Sequence, residues 1–256
     1  GQVIGHEAME VGIARAKEHG SCVMALGNSH HLCRIGAWAE MAVAQNLISV
    51  HFVNAYSRPI VAPFGGGDAR FGTNPFTVGI PVAGKDPILL DFATSIIAQG
   101  KTRVAHNKRE QLPAGMLIDD KGHPTTDPVY GVKPPYGALC TFGGHKGFGL
   151  ALMIEALSQG LSGHGRKDAP KRWGGNVFLQ VMDPQAFAGR EAFAEQMDHL
   201  ADRCRENRPI DPSRPVRLPG DQAARGITQA KRQGIRYSKT AWAAIGEVAS
   251  KLGVQT

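Results

Sequence analysis

The chain predicts an α/β fold with a layered core and a helical tail, and three observations carry that prediction. Helical and extended patterns alternate through the first half of the sequence. Short apolar runs follow, separated by loops dense in glycine and proline. Beyond residue 190 the pattern is almost entirely helical. With 256 residues, 42% of them hydrophobic and 20% charged, the chain can bury a substantial core in one large domain or two small ones.

The elements follow in order. His6–His19 places Met9, Ile13 and Ala16 on one side and Glu7, Lys17 and Glu18 elsewhere, an amphipathic helix that Gly20 ends. Ser21–Leu26 is a short apolar run suited to a buried strand, stopped by the polar run Gly27–His31. Ile35–Asn46 reads as a helix and Leu47–Asn54 as a strand. Ser57–Pro75 cannot be one regular element, yet Ile60, Val61, Phe64 and Phe71 make it an ordered loop rather than a disordered one. Phe76–Pro81 and Pro87–Phe92 are two further strands. Thr94–His106 reads as a helix, with Lys101, Arg103 and His106 towards the end where cations suit its dipole. After a turn-rich stretch from Asn107 to Tyr136, the cluster TFGGHKGFG leads into a helix over Leu150–Leu161. A polar surface loop over 163–175 and a strand over Val177–Met182 complete the core. Three helices follow, Glu191–Asn207, Asp221–Arg232 and Thr240–Leu252, the first two separated by a proline-rich break.

Composition removes several function classes. No apolar stretch approaches the roughly 20 residues of a spanning helix, and no charged-apolar-cleavable leader opens the chain. Cys22, Cys33, Cys140 and Cys204 form no CxxC, so neither a zinc ribbon nor a disulfide scaffold is indicated; no metal is expected, and the thiols suit a cytoplasmic protein. The 29 Lys and Arg exceed the 22 Asp and Glu, giving a net charge of +7 that favours an anionic partner. Nucleic acid is not the partner expected, because the basic residues form no run and 7% aromatic content is thin for base stacking.

The familiar nucleotide and hydrolase signatures are absent: no GxGxxG after a strand, no P-loop, no HExxH and no GxSxG. What remains is a set of candidates. His30 and His31 sit where a strand gives way to a helix, a position from which an imidazole can exchange a proton with a substrate oxygen; the alternative is one capping residue and one solvated one. The GGHKGFG segment opens a helix, so its N–H groups and Lys146 could cradle a phosphate, or form only a tight turn. Asp91, at the end of ILLDFATS, either caps the following helix or holds a ligand hydroxyl. Asn74, in FGTNP, either fixes its loop or touches a ligand.

Taken together, NSHHLCRIGAWAEMA, VAPFGGGDARFGTNPF, LLDFATSIIAQGKTRVA, PTTDP, GGHKGFGLALMIEALSQGLSG and RLPGD resemble the malate/L-lactate dehydrogenase family, which lacks a Rossmann domain. The matching segments run in order through most of the chain. The resemblance implies a three-layer α/β/α fold with a mixed sheet, a non-Rossmann nucleotide-binding fold and a helical tail. Residues 1–20 would continue a helix from an upstream segment, 21–183 would form the NAD(P)-binding core, and 184–256 would pack back on it. The implied activity is hydride transfer between NADH or NADPH and a 2-oxo acid, giving a 2-hydroxy acid. A cyclic-imine carboxylate reductase is the first alternative, and a truncated dinucleotide-binding remnant the second.

On this resemblance His31 is the acid/base. The dinucleotide would lie across Asp91, Phe92 and Ala93, across His145, Lys146 and Gly147, and across Leu218, Pro219 and Gly220. Asn74 and Asn176 are candidate substrate contacts, the latter at a place often held by His, and Asp221 stands where the family usually has Glu. The family carries a Ser-His-Gly motif and a nearby Arg in an N-terminal helical segment proposed to bind the substrate carboxylate, and this sequence starts after that region. A small 2-oxo or 2-hydroxy acid and a second copy of the chain are the partners implied.

Overall fold

The computed structural model describes residues 1–168 and 173–254. Residues 169–172, within the loop expected over 163–175, lie outside the described residues. The chain divides into two compact units, residues 1–220 and 221–256.

The first unit is built on a five-stranded sheet. Its strands are β1 (Ser21–Leu26), β2 (Ile48–Tyr56), β3 (Pro75–Ile80), β4 (Ile88–Ala93) and β8 (Gly174–Met182), in the order β1-β8-β2-β3-β4. A three-stranded sheet, β6 (Pro124–Thr125), β5 (Leu117–Ile118) and β7 (Ala138–Leu139), forms a smaller platform. The sheet expected to be mixed is not: every ladder is antiparallel, and the parallel contact is a single bridge between Val61 and Leu139. The reason is topological. The helix Gly36–Val43 carries the chain from β1 back to the same end of the sheet, so β1 and β2 run the same way. β8 inserts between them and runs opposite to both, while β2, β3 and β4 follow one another as antiparallel neighbours.

Two layers of helix flank the larger sheet. On one face lie α1 (Gln2–His19) and α2 (Gly36–Val43); on the other lie α5 (His145–Glu155) and the single π-helical turn that continues it, Ala156–Gly160. The α1 stripe of Gly5, Met9, Gly12 and Ala16 recurs at helical spacing, and its small residues bring the helix close to the sheet. Met9, Ala16, Cys22, Leu47, Val53, Val177, Leu179 and Val181 form the core between them. Val61, Phe71, Leu117, Leu139 and Ala151 form a second core joining the loop over 57–75 to the small sheet and α5. That loop is ordered as its apolar residues require: Val61 and Phe71 pair and are buried.

Two helix boundaries differ from expectation. The helix expected from Thr94 begins five residues later, as α3 (Gln99–Lys108), because Thr94 Oγ1 bonds the carbonyls of Thr73 and Asn74 and Ser95 pairs with Thr141. The helix expected from Leu150 begins instead at His145, inside the glycine cluster. Between the small-sheet strands sits α4 (Val129–Val132), and α6 (Arg190–Arg205) closes the first unit, tied down by Arg190 to Asp183 at 2.7 Å and by Lys85 to Asp202 at 2.9 Å. The second unit contains α7 (Asp221–Gln233) and α8 (Lys239–Lys251), the latter capped by the Ser238 hydroxyl.

Candidate active site

The three segments named as dinucleotide contacts meet along one strand. β4 is the edge of the large sheet. At its start, Leu89 N–H donates to the carbonyl of Pro219 at 2.9 Å, and Gly220 lies so close that an added Cβ would stand 3.1 Å from Leu89 N. At its end, Phe142 N–H donates to Thr94 O at 3.0 Å, and the Phe92 and Phe142 rings meet edge to face with centroids 5.2 Å apart. Backbone polarity alternates along a strand, so a Leu89 N–H that faces away from β3 means that the backbone groups of Asp91 and Ala93 also face outward. The result is an open backbone edge with the Leu218–Gly220 turn at one end and the glycine loop at the other.

Asp91 contributes backbone rather than carboxylate to that edge. Its Oδ2 accepts the Gly36 N–H at 2.8 Å and its Oδ1 accepts the Thr77 hydroxyl at 2.8 Å. Asp91 therefore does cap a helix, but the helix is α2, distant in sequence, rather than the one that follows it. A carboxylate at that N-terminus is favoured by the exposed N–H dipoles.

The glycine loop also differs in detail from a bare phosphate cradle. The N–H groups of Lys146 and Gly147 are taken by Gly143 O at 3.3 Å and Phe142 O at 3.0 Å. Gly147 permits this closure: an added Cβ would meet Phe142 O at 2.3 Å. What the loop turns outward is the exposed side chains of His145 and Lys146 on the first turn of α5. Phe64 meets His145 edge to face at 6.0 Å, and Gly65–Gly67 and Gly143–Gly144 line a 470 Å³ cleft together with Ile96, Cys140 and Thr141.

His30 and His31 occupy a separate 150 Å³ pocket with Trp173, Asn54, Thr73 and Pro75. Trp173 contacts both imidazoles, at 5.3 Å and 4.8 Å between centroids. Cys33 N–H donates to His31 Nδ1 at 3.1 Å, so the neutral ring carries its hydrogen on Nε2. Partial burial holds the His31 pKa below the usual histidine value, with the nearby charge of His30 acting in the same direction. Pro75, on the pocket wall, pairs across the sheet with Ala93, so the pocket adjoins the far end of the open β4 edge.

The two asparagines named as substrate contacts are not on a surface. Asn74 and Asn176 are fully buried and their amides are committed. Asn74 Oδ1 accepts from Ala55 N and its Nδ2 donates to Glu155 at 2.8 Å. Asn176 Oδ1 accepts from Asn28 N at 2.8 Å while its Nδ2 donates to Asn54 Oδ1 at 3.0 Å and His164 O at 2.7 Å. Each amide thus has both its oxygen and its nitrogen bonded within the protein, which gives both asparagines a role in the scaffold. Glu155, Asn54 and Arg166, which complete this network, have no local sequence pattern that marks them; polar residues at strand ends opposite an apolar helix are the one available signal.

Comparison with known proteins identifies the family. Residues 1–246 match a family model described as malate/L-lactate dehydrogenase. Hydroxycarboxylate dehydrogenase B of Escherichia coli strain K12 is 41% identical over 260 residues, covering 99% of this chain and 72% of that protein. L-lactate dehydrogenase of Cupriavidus necator is 35% identical, covering 99% of this chain and 74% of that protein. A solved malate/lactate dehydrogenase-type structure from E. coli superposes with a TM-score of 0.89 at 39% identity, covering 98% of this chain and 71% of that one. The chain belongs to the malate/L-lactate dehydrogenase family.

Proposed function

We propose that this member of the family transfers hydride between a nicotinamide dinucleotide, NAD(H) or NADP(H), and a 2-oxo acid, interconverting it with the 2-hydroxy acid. The reading is supported above all by the convergence of the three predicted dinucleotide segments on the open edge of β4, one strand away from the His31 pocket. A dinucleotide fits this edge: outward amides at Asp91 and Ala93, glycine walls that let a ligand approach backbone, and the cationic Lys146 for a phosphate. When bound, the nicotinamide supplies the hydride.

The chain's own groups handle the proton. His31 presents Nε2–H to a carbonyl oxygen in the pocket and polarises it. Delivering that proton requires Nδ1 to gain one in turn, which displaces the Cys33 N–H, and partial burial, which lowers the His31 pKa, separately disfavours the charged ring. In the oxidation direction Nε2 accepts the hydroxyl proton from the substrate when His31 is the tautomer that carries its hydrogen on Nδ1, which again requires the Cys33 N–H to be displaced. Trp173 packs against both imidazoles, which remain exposed to solvent on their other sides. The free thiols of Cys22, Cys33, Cys140 and Cys204 suit the reducing cytoplasm, and a homodimer is the assembly expected of the family.

The test is fluorescence titration with NADH and NADPH, followed by oxidation of each with small and aromatic 2-oxo acids and with piperideine-2-carboxylate. Binding with 2-oxo acid turnover is the expected result. Faster turnover of the imine would transfer the assignment to a cyclic-imine reductase, and binding of neither nucleotide would overturn it. Light scattering of the purified chain checks the dimer.

A further inference from the structure

We infer that Glu155 is a positioning residue which, through Asn54 and Asn176, fixes the Asn28–His31 turn for proton transfer. The inference rests on the assignment of His31 above but adds a residue to which that assignment gives no role.

The argument is one of donor and acceptor polarity. An ionised carboxylate only accepts, so a carboxamide facing it must present its NH₂ end. Glu155 is buried, and its two oxygens accept Asn54 Nδ2 and Asn74 Nδ2, each at 2.8 Å, with Arg166 Nη2 at 3.4 Å balancing the charge. Asn54 is thereby forced to turn Oδ1 towards Asn176, where it accepts both the backbone N–H at 3.1 Å and Nδ2 at 3.0 Å. Asn176 is forced in turn to offer Oδ1 to the Asn28 N–H at 2.8 Å. One negative charge on α5 thus dictates the orientation of two amides and ends at the first residue of the histidine turn.

The turn needs such an anchor. Asn28 and His30 hold φ of 53° and 62°, the left-handed region that side chains rarely adopt. Ser29 adds its N–H and hydroxyl to Gly175 O at 2.8 and 3.0 Å, and Tyr56 donates its hydroxyl to Asn28 Oδ1 at 2.7 Å. Directly after Glu155 the helix widens into its π turn, which brings Gln159 Oε1 to Asn54 Nδ2 as a second acceptor at 3.3 Å.

The experiment compares the parent chain with Glu155→Gln, Glu155→Asp and Tyr56→Phe. Glutamine has the shape of glutamate but a donor end, so it releases the polarity of the relay; aspartate keeps the acceptor-only charge. Three readouts are taken: kcat, nucleotide dissociation constant, and titration of the His31 imidazole by ¹H–¹⁵N NMR. The groups facing that ring are His30, Cys33 and Trp173. For Glu155→Gln the expected result is a kcat about 10- to 100-fold lower, the loss associated with a misplacement of about 1 Å, together with unchanged nucleotide affinity and a His31 titration moved up towards that of a solvated histidine. Glu155→Asp recovers part of both. Should Glu155→Gln fail to fold, Tyr56→Phe, which removes only a hydroxyl, is expected to shift the same His31 signal by less. Folded variants whose His31 titration and kcat match the parent would overturn the inference. A parent that binds neither nucleotide would instead overturn the dehydrogenase assignment, and the NMR comparison, read without turnover, separates the two failures.

Discussion

On the face of the large sheet that α1 and α2 cover, polar groups occur as small, self-satisfied sets; on the opposite face they are wired together and run out to the strand ends. The covered face is Val53, Val177, Leu179 and Val181 against Met9 and Ala16, with His51 enclosed beside the Ser49 hydroxyl at 3.2 Å. The other face carries a half-buried row of rings, Phe178, Phe52, Phe76 and Phe92, with neighbouring centroids 5.0 to 5.8 Å apart, and beside it the Asn54–Asn176–Glu155 network. The difference teaches that burial of apolar area holds the sheet together, whereas the connected polar groups define where side chains at its ends stand. Changes to the first face should therefore register in stability, and changes to the second in chemistry.

The largest expected effect is on the second face. His31→Gln should lower turnover by about 10²- to 10⁴-fold, the usual contribution of a positioned acid/base, while nucleotide fluorescence titrates as in the parent. Wild-type rates in that variant would assign the proton to another group and dissolve the contrast. Next, on the covered face, Leu179→Ala should cost roughly 2–5 kcal/mol in urea unfolding, through lost burial and the cavity left behind. Its kcat per folded molecule should stay that of the parent; a parallel fall in kcat would mean that the faces are not separable.

Acid provides a third probe. Complete burial pushes the His51 pKa down to about 4. The unfolded chain, with an ordinary histidine pKa, then binds the proton first as pH falls, so stability is full above about 6.5 and is lost on the way down to about 4. The loss attributable to this one group is roughly 3 kcal/mol. Urea midpoints measured across that range should fall with acid, and His51→Gln should flatten the slope; an unchanged slope would assign acid sensitivity elsewhere. The smallest effect expected is Lys146→Ala, about 1–2 kcal/mol of nucleotide binding from one charge-assisted contact at an exposed loop, with no change in unfolding. Unaltered nucleotide affinity would remove Lys146 from the phosphate site.

Much of the fold was readable where local pattern and tertiary contact agree. Ser21–Leu26 is a strand at the bounds its apolar run suggests, and the helix preceding it buries Met9 and Ala16 as their spacing requires. The ordering of residues 57–75 follows from Val61 and Phe71. Where side chains compete with the backbone, the pattern misleads: Thr94 and Ser95 bond across to neighbouring segments, and α3 starts late. The strand directions were not readable either, since an apolar run does not say which neighbour it pairs with or in which sense.

The sequence by itself determined the α/β class, the positions of its two glycine loops and, through motifs matching over most of the chain, the family, from which His31 and the three dinucleotide segments are proposed. Those are properties of composition, periodicity and short contiguous motifs. Only the tertiary structure decided that the Asp91 carboxylate caps α2, that Asn74 and Asn176 are buried and bonded within the protein, and that Glu155 is linked through Asn54 and Asn176 to the histidine turn. The physical reason is common to all three. A carboxylate or amide has the same donors and acceptors wherever it lies in the chain, and whether they are spent inside or left for a substrate depends on partners as far as 148 residues away, which the packing of strands and helices brings within hydrogen-bonding distance.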